Sequence, residues 1–409
     1  MKPAKMAGNG GKGAYVAGGL FDVARTVGSA VLVQQLFPTQ FPFLMLNVDV
    51  LSAVVGLFGP WGIAFAKMTR KVVPPVFRRF EAEIFGLSLV FAALYVFTSI
   101  SVYYIAGEAI RGSHVGFFML RALSIFFLLR LNLNVVALMS LGQGARSLGI
   151  QVTAMLVSWA AYALAHVFFA KNNVAILGVF LLVADVLLAI LSRSARFSRN
   201  SAVTRIKKYF YFSAKIKKIL IPEIAASVVI SLSILLFTSS AFSVSPESYE
   251  KFRIPFAFST ALWYVVYRCT FFILSDRGHP GSNIWSWASG ESAKASWFVP
   301  FILGLAAAIV GGELLLQNLV AVGFYPIVLL VVSGSGALRL MNGHNQIALI
   351  NLKMFFIFYV PCAVALYFGA VVPQHFVWLI GASYFFRLFL ILICLGKVER
   401  TWREACRTS

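Results

Sequence analysis

The feature that most constrains this chain is a succession of apolar stretches, each about twenty residues long, joined by short polar connections. Crossing the hydrocarbon core of a bilayer takes about 20 residues of helix. Stretches of that length fall at 14–36, 41–66, 83–107, 115–140, 147–170, 174–193, 219–242, 253–275, 295–317, 323–341, 346–370 and 375–396. Only 12% of the 409 residues are charged and 60% are hydrophobic, against about 25% charged in soluble globular proteins. A water-soluble core cannot hide that many apolar side chains. The composition excludes an ordinary soluble enzyme, a disordered chain and a coiled coil. It predicts an all-α polytopic membrane protein, with twelve transmembrane helices in two six-helix bundles around a central cavity. The first stretch is interrupted by Asp22 and Arg25 and lacks a small-residue cleavage site, so it reads as a membrane helix rather than a signal peptide.

The loops orient these helices, because cytoplasmic connections carry an excess of Lys and Arg. Lys67, Arg70, Lys71, Arg78 and Arg79 surround the second-to-third connection, and Arg146 marks the fourth-to-fifth. The central connection holds Arg193, Arg196, Arg199, Arg205, Lys207, Lys208, Lys215, Lys217 and Lys218, and the tail holds Lys397, Arg400, Arg403 and Arg407. The alternate connections are nearly bare. Pro38-Thr39-Gln40 and the turns near Asn318 and Gln374 carry no charge, and Glu247 and Glu250 offset Lys251 and Arg253. This alternation predicts two cytoplasmic termini in a bacterial inner membrane. It also explains the net charge of +21 without nucleic acid as a partner. The expected organisation is a cytoplasmic tail (1–13), a six-helix bundle (14–193), a basic linker (194–218), a second six-helix bundle (219–396) and a basic tail (397–409).

The two halves look related. SLGQGARSLGIQVTAMLVSWAAYALAHVFF joins helices four and five, and LRLMNGHNQIALINLKMFFIFYVPCAVALYF joins helices ten and eleven. Each links two apolar helices by a short turn containing Gly, Asn or Gln, about two hundred residues apart. With an even number of helices per half, such a repeat is parallel, about an axis along the membrane normal.

Twelve helices as six plus six, a long basic link and these paired turns together resemble the multidrug/oligosaccharidyl-lipid/polysaccharide (MOP) flippase superfamily. Residues 59–71, GPWGIAFAKMTRK, are similar to the end of helix two in polysaccharide flippases, where a glycine-containing apolar stretch runs into Arg and Lys. Residues 141–196, from LGQGARSLGIQV through LSRSAR, resemble that family's helix-five/helix-six hairpin. By length the nearest branch is the O-antigen and polysaccharide flippases, with the multidrug and toxic compound extrusion (MATE) branch as runner-up. In MATE proteins the first helix often carries an acid in its later half. Here Asp22 lies in the earlier half, and Val31 to Phe37 contain no acid. A major facilitator reading ranks third, since the loop after helix two, AKMTRKV at Ala66–Val72, lacks that family's acid.

Charges at membrane depth cost about 2.5–3.5 kcal/mol on insertion scales, so each needs a reason. Asp22 and Arg25 stand three residues apart and are expected to pair with each other. Asp49, eight residues into helix two, and Asp185, central in helix six, are too short to snorkel and are expected to face a cavity or a partner. Arg130 is near the middle of helix four, whereas Arg121 is nearer the outer surface and within snorkelling reach. Arg268, Arg339 and Lys353 lie toward the cytoplasmic side, and Arg387 is central in helix twelve. Glu223 follows Pro222 at a helix start, where a positive helix end favours it, and Glu313 lies near an outer end.

The cations outnumber the acids in this set, which suits an anionic cargo, since guanidinium groups grip phosphate and carboxylate oxygens well. The expected substrate-binding residues are Arg25, Arg121, Arg130, Arg268, Lys353 and Arg387. The expected cation-coupling residues are Asp22, Asp49 and Asp185, taking up a proton or sodium ion. The expected function is a flippase for a lipid-linked, anionic oligosaccharide, with membrane lipids, a glycan polymerase and other assembly proteins as partners. The alternatives are a MATE-type exporter of small organic molecules and a non-transporting subunit of a glycan-assembly complex. Trp285, Trp287, Trp297 and Trp378 read as an interfacial belt. Cys269, Cys362, Cys394 and Cys406 are scattered, and the histidines have no metal spacing, so neither cofactor nor metal is expected. Without a Walker loop, a Ser–His–Asp order or a dinucleotide fingerprint, the chain is not expected to be an enzyme.

Overall fold

A computed structural model describes residues 9–68, 73–105, 110–140, 143–168, 173–192, 206–244, 246–275, 283–310, 312–369 and 376–407. The described residues are helical nearly throughout and contain no strand. The N-terminal half comprises α1 (Asn9–Leu36), α2 (Phe41–Gly56), α3 (Gly59–Met68), α4 (Val73–Ile105), α5 (Gly112–Ser140), α6 (Gly144–Phe168) and α7 (Val174–Ser192). The C-terminal half comprises α8 (Ile206–Val244), α9 (Pro246–Tyr267), α10 (Cys269–Ser275), α11 (Ile284–Ser296), α12 (Val299–Val310), α13 (Leu315–Gly323), α14 (Tyr325–Leu340), α15 (His344–Met354), α16 (Val360–Tyr367) and α17 (Phe376–Arg407).

Among the described residues, 10 segments are long and apolar enough to cross a membrane, and α11 with α12, bent by 47°, makes one more. α9 with α10 is not among these segments, but it is long enough to make a further crossing. It runs from Pro246 to Ser275, about 45 Å at 1.5 Å per residue, and its charged first turns lower its hydropathy. Several crossings are broken, and proline sits just inside the helix that resumes after three of the breaks. Pro60, Pro300 and Pro326 open α3, α12 and α14, where a missing N–H costs nothing. In the eleventh crossing a π-helical turn, Phe355–Tyr359, precedes Pro361. The outward side chains are apolar, with Phe97 71% and Ile309 76% exposed, as expected of a surface that faces lipid rather than water.

The expected repeat has a physical trace. Gln143 N–H donates to Leu138 O at 2.9 Å and Ser147 N–H to Gln143 O at 3.1 Å. The same two bonds recur 200 residues later, from Gly343 to Leu338 at 2.7 Å and from Ile347 to Gly343 at 3.2 Å. Each is a helix stop of the Schellman type followed by the first bond of the next helix.

Within the N-terminal half, α1 packs along α6, and α5 lies between α4 and α7. Within the C-terminal half, α8 packs on α15 and α16, and α14 on α10, α11 and α17. The halves meet along two lines, α1 against α9 and α2–α3 against α8. At the end that carries the basic second-to-third connection, α10 also reaches α3 and α5. There Phe271 packs against a small apolar cluster of the opposite half, Leu131, Val135, Ala154 and Leu188.

Candidate functional site

Four carboxylates at membrane depth are each held by an arginine, and the four pairs fall into two kinds. Two pairs lie inside one half. Arg121 on α5 donates from Nη1 to Asp185 Oδ2 on α7 at 2.8 Å, and to Ser124 Oγ at 3.0 Å. In the C-terminal half Arg339 grips Glu223 with two parallel bonds, Nε to Oε1 at 2.8 Å and Nη2 to Oε2 at 2.9 Å. His344 Nδ1 lies 2.7 Å from the same Oε1. The turn between α14 and α15 delivers both partners. Asn342 adopts a left-handed backbone with φ 65°, which Asn tolerates better than most residues. Gly343 follows, and a methyl there would stand 2.9 Å from Leu338 O. The chain thus reverses tightly enough for Arg339 and His344 to face one carboxylate.

The other two pairs cross the seam between the halves. Asp49 on α2 is buried and receives two bonds from the first turns of α9: Arg253 Nη2 to Oδ1 at 2.7 Å and the Tyr249 hydroxyl to Oδ2 at 2.9 Å. Aromatic rings from both halves pack around this pair, with Tyr103 of α4 against Phe242 of α8 at 6.5 Å and Phe242 against Tyr249 at 5.4 Å. Ser231 of α8 also donates to Ala53 O of α2, at 2.7 Å. Asp22 on α1 pairs with Arg268, which sits at the break between α9 and α10. Gly18 and Gly19 make room for it. A methyl at Gly18 would overlap Gln151, and one at Gly19 would stand 2.9 Å from Arg268 Cδ and 3.3 Å from Val265 Cα. Arg253 and Arg268 are fifteen residues apart on one crossing, about 22 Å along a helix axis. One crossing therefore carries a latch toward each face of the membrane.

These contacts correct several sequence expectations. Asp22 bonds to Arg268 and not to Arg25, because the glycine pair brings the opposite half's guanidinium onto α1. Arg25 is half-buried on α1. Arg121 and Arg268 are buried in ion pairs instead of snorkelling to an interface. Glu223 is not at a helix start: Pro222 and Glu223 lie inside α8, which begins at Ile206, and the carboxylate is buried against Arg339 in the last turn of α14. Arg339 is itself buried rather than interfacial. Arg130 is half-buried on α5, Lys353 is exposed on α15, and Arg387 is buried on α17. The Glu313 side chain lies outside the described residues. Arg253 was missed. Glu247, Glu250 and Lys251 beside it read as a loop, yet all four belong to α9.

No protein-family model matches the chain, and no curated protein sequence matches it significantly. Solved structures do. A MATE protein in its bent conformation shares 12% identity, with a TM-score of 0.65 over 97% of this chain and 94% of that one. The fold is that of the MATE transporters. A eukaryotic MATE transporter, AtDTX14, matches over 97% of this chain and 98% of its own at 14% identity and TM-score 0.59. A MOP superfamily transporter from Pyrococcus furiosus, described for the reverse polarity of its binding pocket, matches over 95% and 94% at 11% identity and TM-score 0.63. At these identities the likeness is one of fold. It fits the MATE branch, placed second from sequence, at least as well as the polysaccharide-flippase branch.

Proposed function

We propose that this protein is an alternating-access transporter for an anionic cargo, its two halves rocking against each other across the seam. The observation that carries the reading is Asp49, a buried acid of one half whose described hydrogen-bond donors, Arg253 and Tyr249, both belong to the other. When the halves part, the carboxylate loses both donors. Leaving it charged and unpartnered in apolar surroundings costs several kcal/mol. A proton or a sodium ion arriving at Asp49 offsets that cost, so the ion gradient and the opening of the seam become one event. Asp22 stands in the same position toward Arg268. Asp185 does not, because Arg121 moves with it.

Pairing also decides which charges are left for cargo. Asp22, Asp49, Asp185 and Glu223 are all engaged by arginines. Arg25 and Arg387 carry no carboxylate partner among the described residues, so the polarity left over is basic. A lipid-linked oligosaccharide with a pyrophosphate or acidic sugars, moved outward across a bacterial inner membrane, suits it. A second reading, export of small organic molecules, is supported by neighbours named as multidrug resistance MATE family transporters. Purified protein in proteoliposomes, under an imposed proton or sodium gradient, separates the two. The proposal expects a fluorescent polyprenyl-pyrophosphate oligosaccharide to change leaflet and the cationic dye ethidium to stay. Ethidium movement alone would establish the second reading. Movement of neither would return the chain to the class of non-transporting assembly subunits.

A further inference from the structure

Arg121, Arg253, Arg268 and Arg339 each meet a carboxylate. Arg387, near the middle of the apolar span Phe376–Arg400 of α17, meets none among the described residues. It is only 6% exposed, and its Nε is buried without a hydrogen-bond partner. Its guanidinium carbon lies 5.0 Å from the ring centroid of Trp263 on α9. Trp263 in turn stacks on Tyr384 at 5.7 Å with the rings 8° apart. Tyr384 is fixed by a hydroxyl bond to Ser259 O at 3.3 Å and by Phe324 at 6.4 Å, and Phe324 is seated against Gly381. An aromatic face satisfies a cation's charge in part but accepts none of its five N–H bonds. The cluster therefore positions a guanidinium rigidly and leaves its hydrogen-bonding edge unused.

We propose that Arg387, seated on Trp263, is the binding site for the anionic group of the cargo, a phosphate or a carboxylate held by paired N–H···O bonds. The inference rests on the anionic-cargo reading and gives it a location. Trp263 belongs to α9, the helix that also carries Tyr249 and Arg253. An anion drawn onto Arg387 thus acts on the element whose side chains latch the seam.

Thermal unfolding of the detergent-purified full chain tests the site, with inorganic pyrophosphate in one arm and trigalacturonate in the other. One or both should raise the unfolding temperature of the wild type. Stabilisation by pyrophosphate alone assigns the group as phosphate, and by trigalacturonate alone as carboxylate. Arg387→Gln should weaken the apparent affinity at least tenfold. Arg387→Lys, which keeps the charge and loses the fork, should weaken it severalfold and serves if the glutamine variant does not fold. Unchanged affinity in the folded variants overturns the site. If those variants also move anionic cargo at the wild-type rate, the transporter reading survives without it. A wild type that neither binds either anion nor moves anionic cargo loses both.

Discussion

The ion pairs inside each half and the ion pairs across the seam use the same residue types at similar depth, yet they are built differently. Glu223 is held by three donor atoms from two neighbouring elements of its own half. Asp185 is held by Arg121, which Ser124 steadies. Asp49 and Asp22, by contrast, take their described partners from the opposite half. Pairs that stay together through a transport cycle can be reinforced freely, whereas pairs that must part can rest only on groups that leave together. The difference marks the inner pairs as structural pins and the seam pairs as latches.

The comparison breaks most visibly if the pins prove dispensable. Glu223→Gln leaves Arg339 buried without a counter-charge, and removing one partner of a buried pair costs about 3–5 kcal/mol. Circular dichroism melts should show a large drop in unfolding temperature; an unchanged melt would mean that the C-terminal half is held by other means. Neutralising a whole latch should act elsewhere. Asp49→Asn with Arg253→Gln removes both charges together, so the fold should survive while the closed seam weakens. Labelling of a cysteine placed at Phe242 should then speed up about tenfold, equivalent to about 1.4 kcal/mol. Equal labelling rates would show that the aromatic rings, not the ion pair, close this side.

Smaller effects sharpen the picture. Gly19→Ala puts a methyl against Arg268 and the α9 backbone, and overpacking of this kind costs about 1–3 kcal/mol. Cross-linking between cysteines on α1 and α9 should fall in proportion, and undiminished cross-linking would show that the seam absorbs the methyl. Tyr249→Phe removes one of two donors to the Asp49 carboxylate, worth about 1.5–3 kcal/mol for a bond to a charged group. It should alter the gradient dependence of transport while lowering the unfolding temperature less than Glu223→Gln does.

Much of the fold was legible because apolar length and basic loops are local signals. Both depend on the bilayer, which reads each segment alone. The ninth crossing was placed too late because α11, with Ser286, Ser289, Glu291 and Lys294, is too polar to read as membrane-buried. Depth alone identified Asp22, Asp49, Asp185, Arg121, Arg268 and Arg387 as residues needing a reason. Their partners were illegible, because each is set by packing between helices far apart in sequence. Asp49 and Tyr249 are 200 residues apart, and Asp22 and Arg268 are 246 apart. Arg25, only three residues from Asp22, was the nearer and wrong partner. Arg253 was hidden by its charged neighbours and by Pro255, which resembles the first residue of a helix but lies within α9.

The central claim is that an acid can couple transport to a gradient only if its partner sits across the seam. Proteoliposomes containing wild type, Asp49→Asn or Asp185→Asn, compared with and without an imposed proton or sodium gradient, test it most directly. Transport per folded molecule by Asp185→Asn should still respond to the gradient, even where less protein folds. Asp49→Asn should bind cargo and lose at least about tenfold of the gradient-driven rate, a barrier change of about 1.4 kcal/mol. A gradient response kept by Asp49→Asn and lost by Asp185→Asn would contradict the assignment of latches and pins.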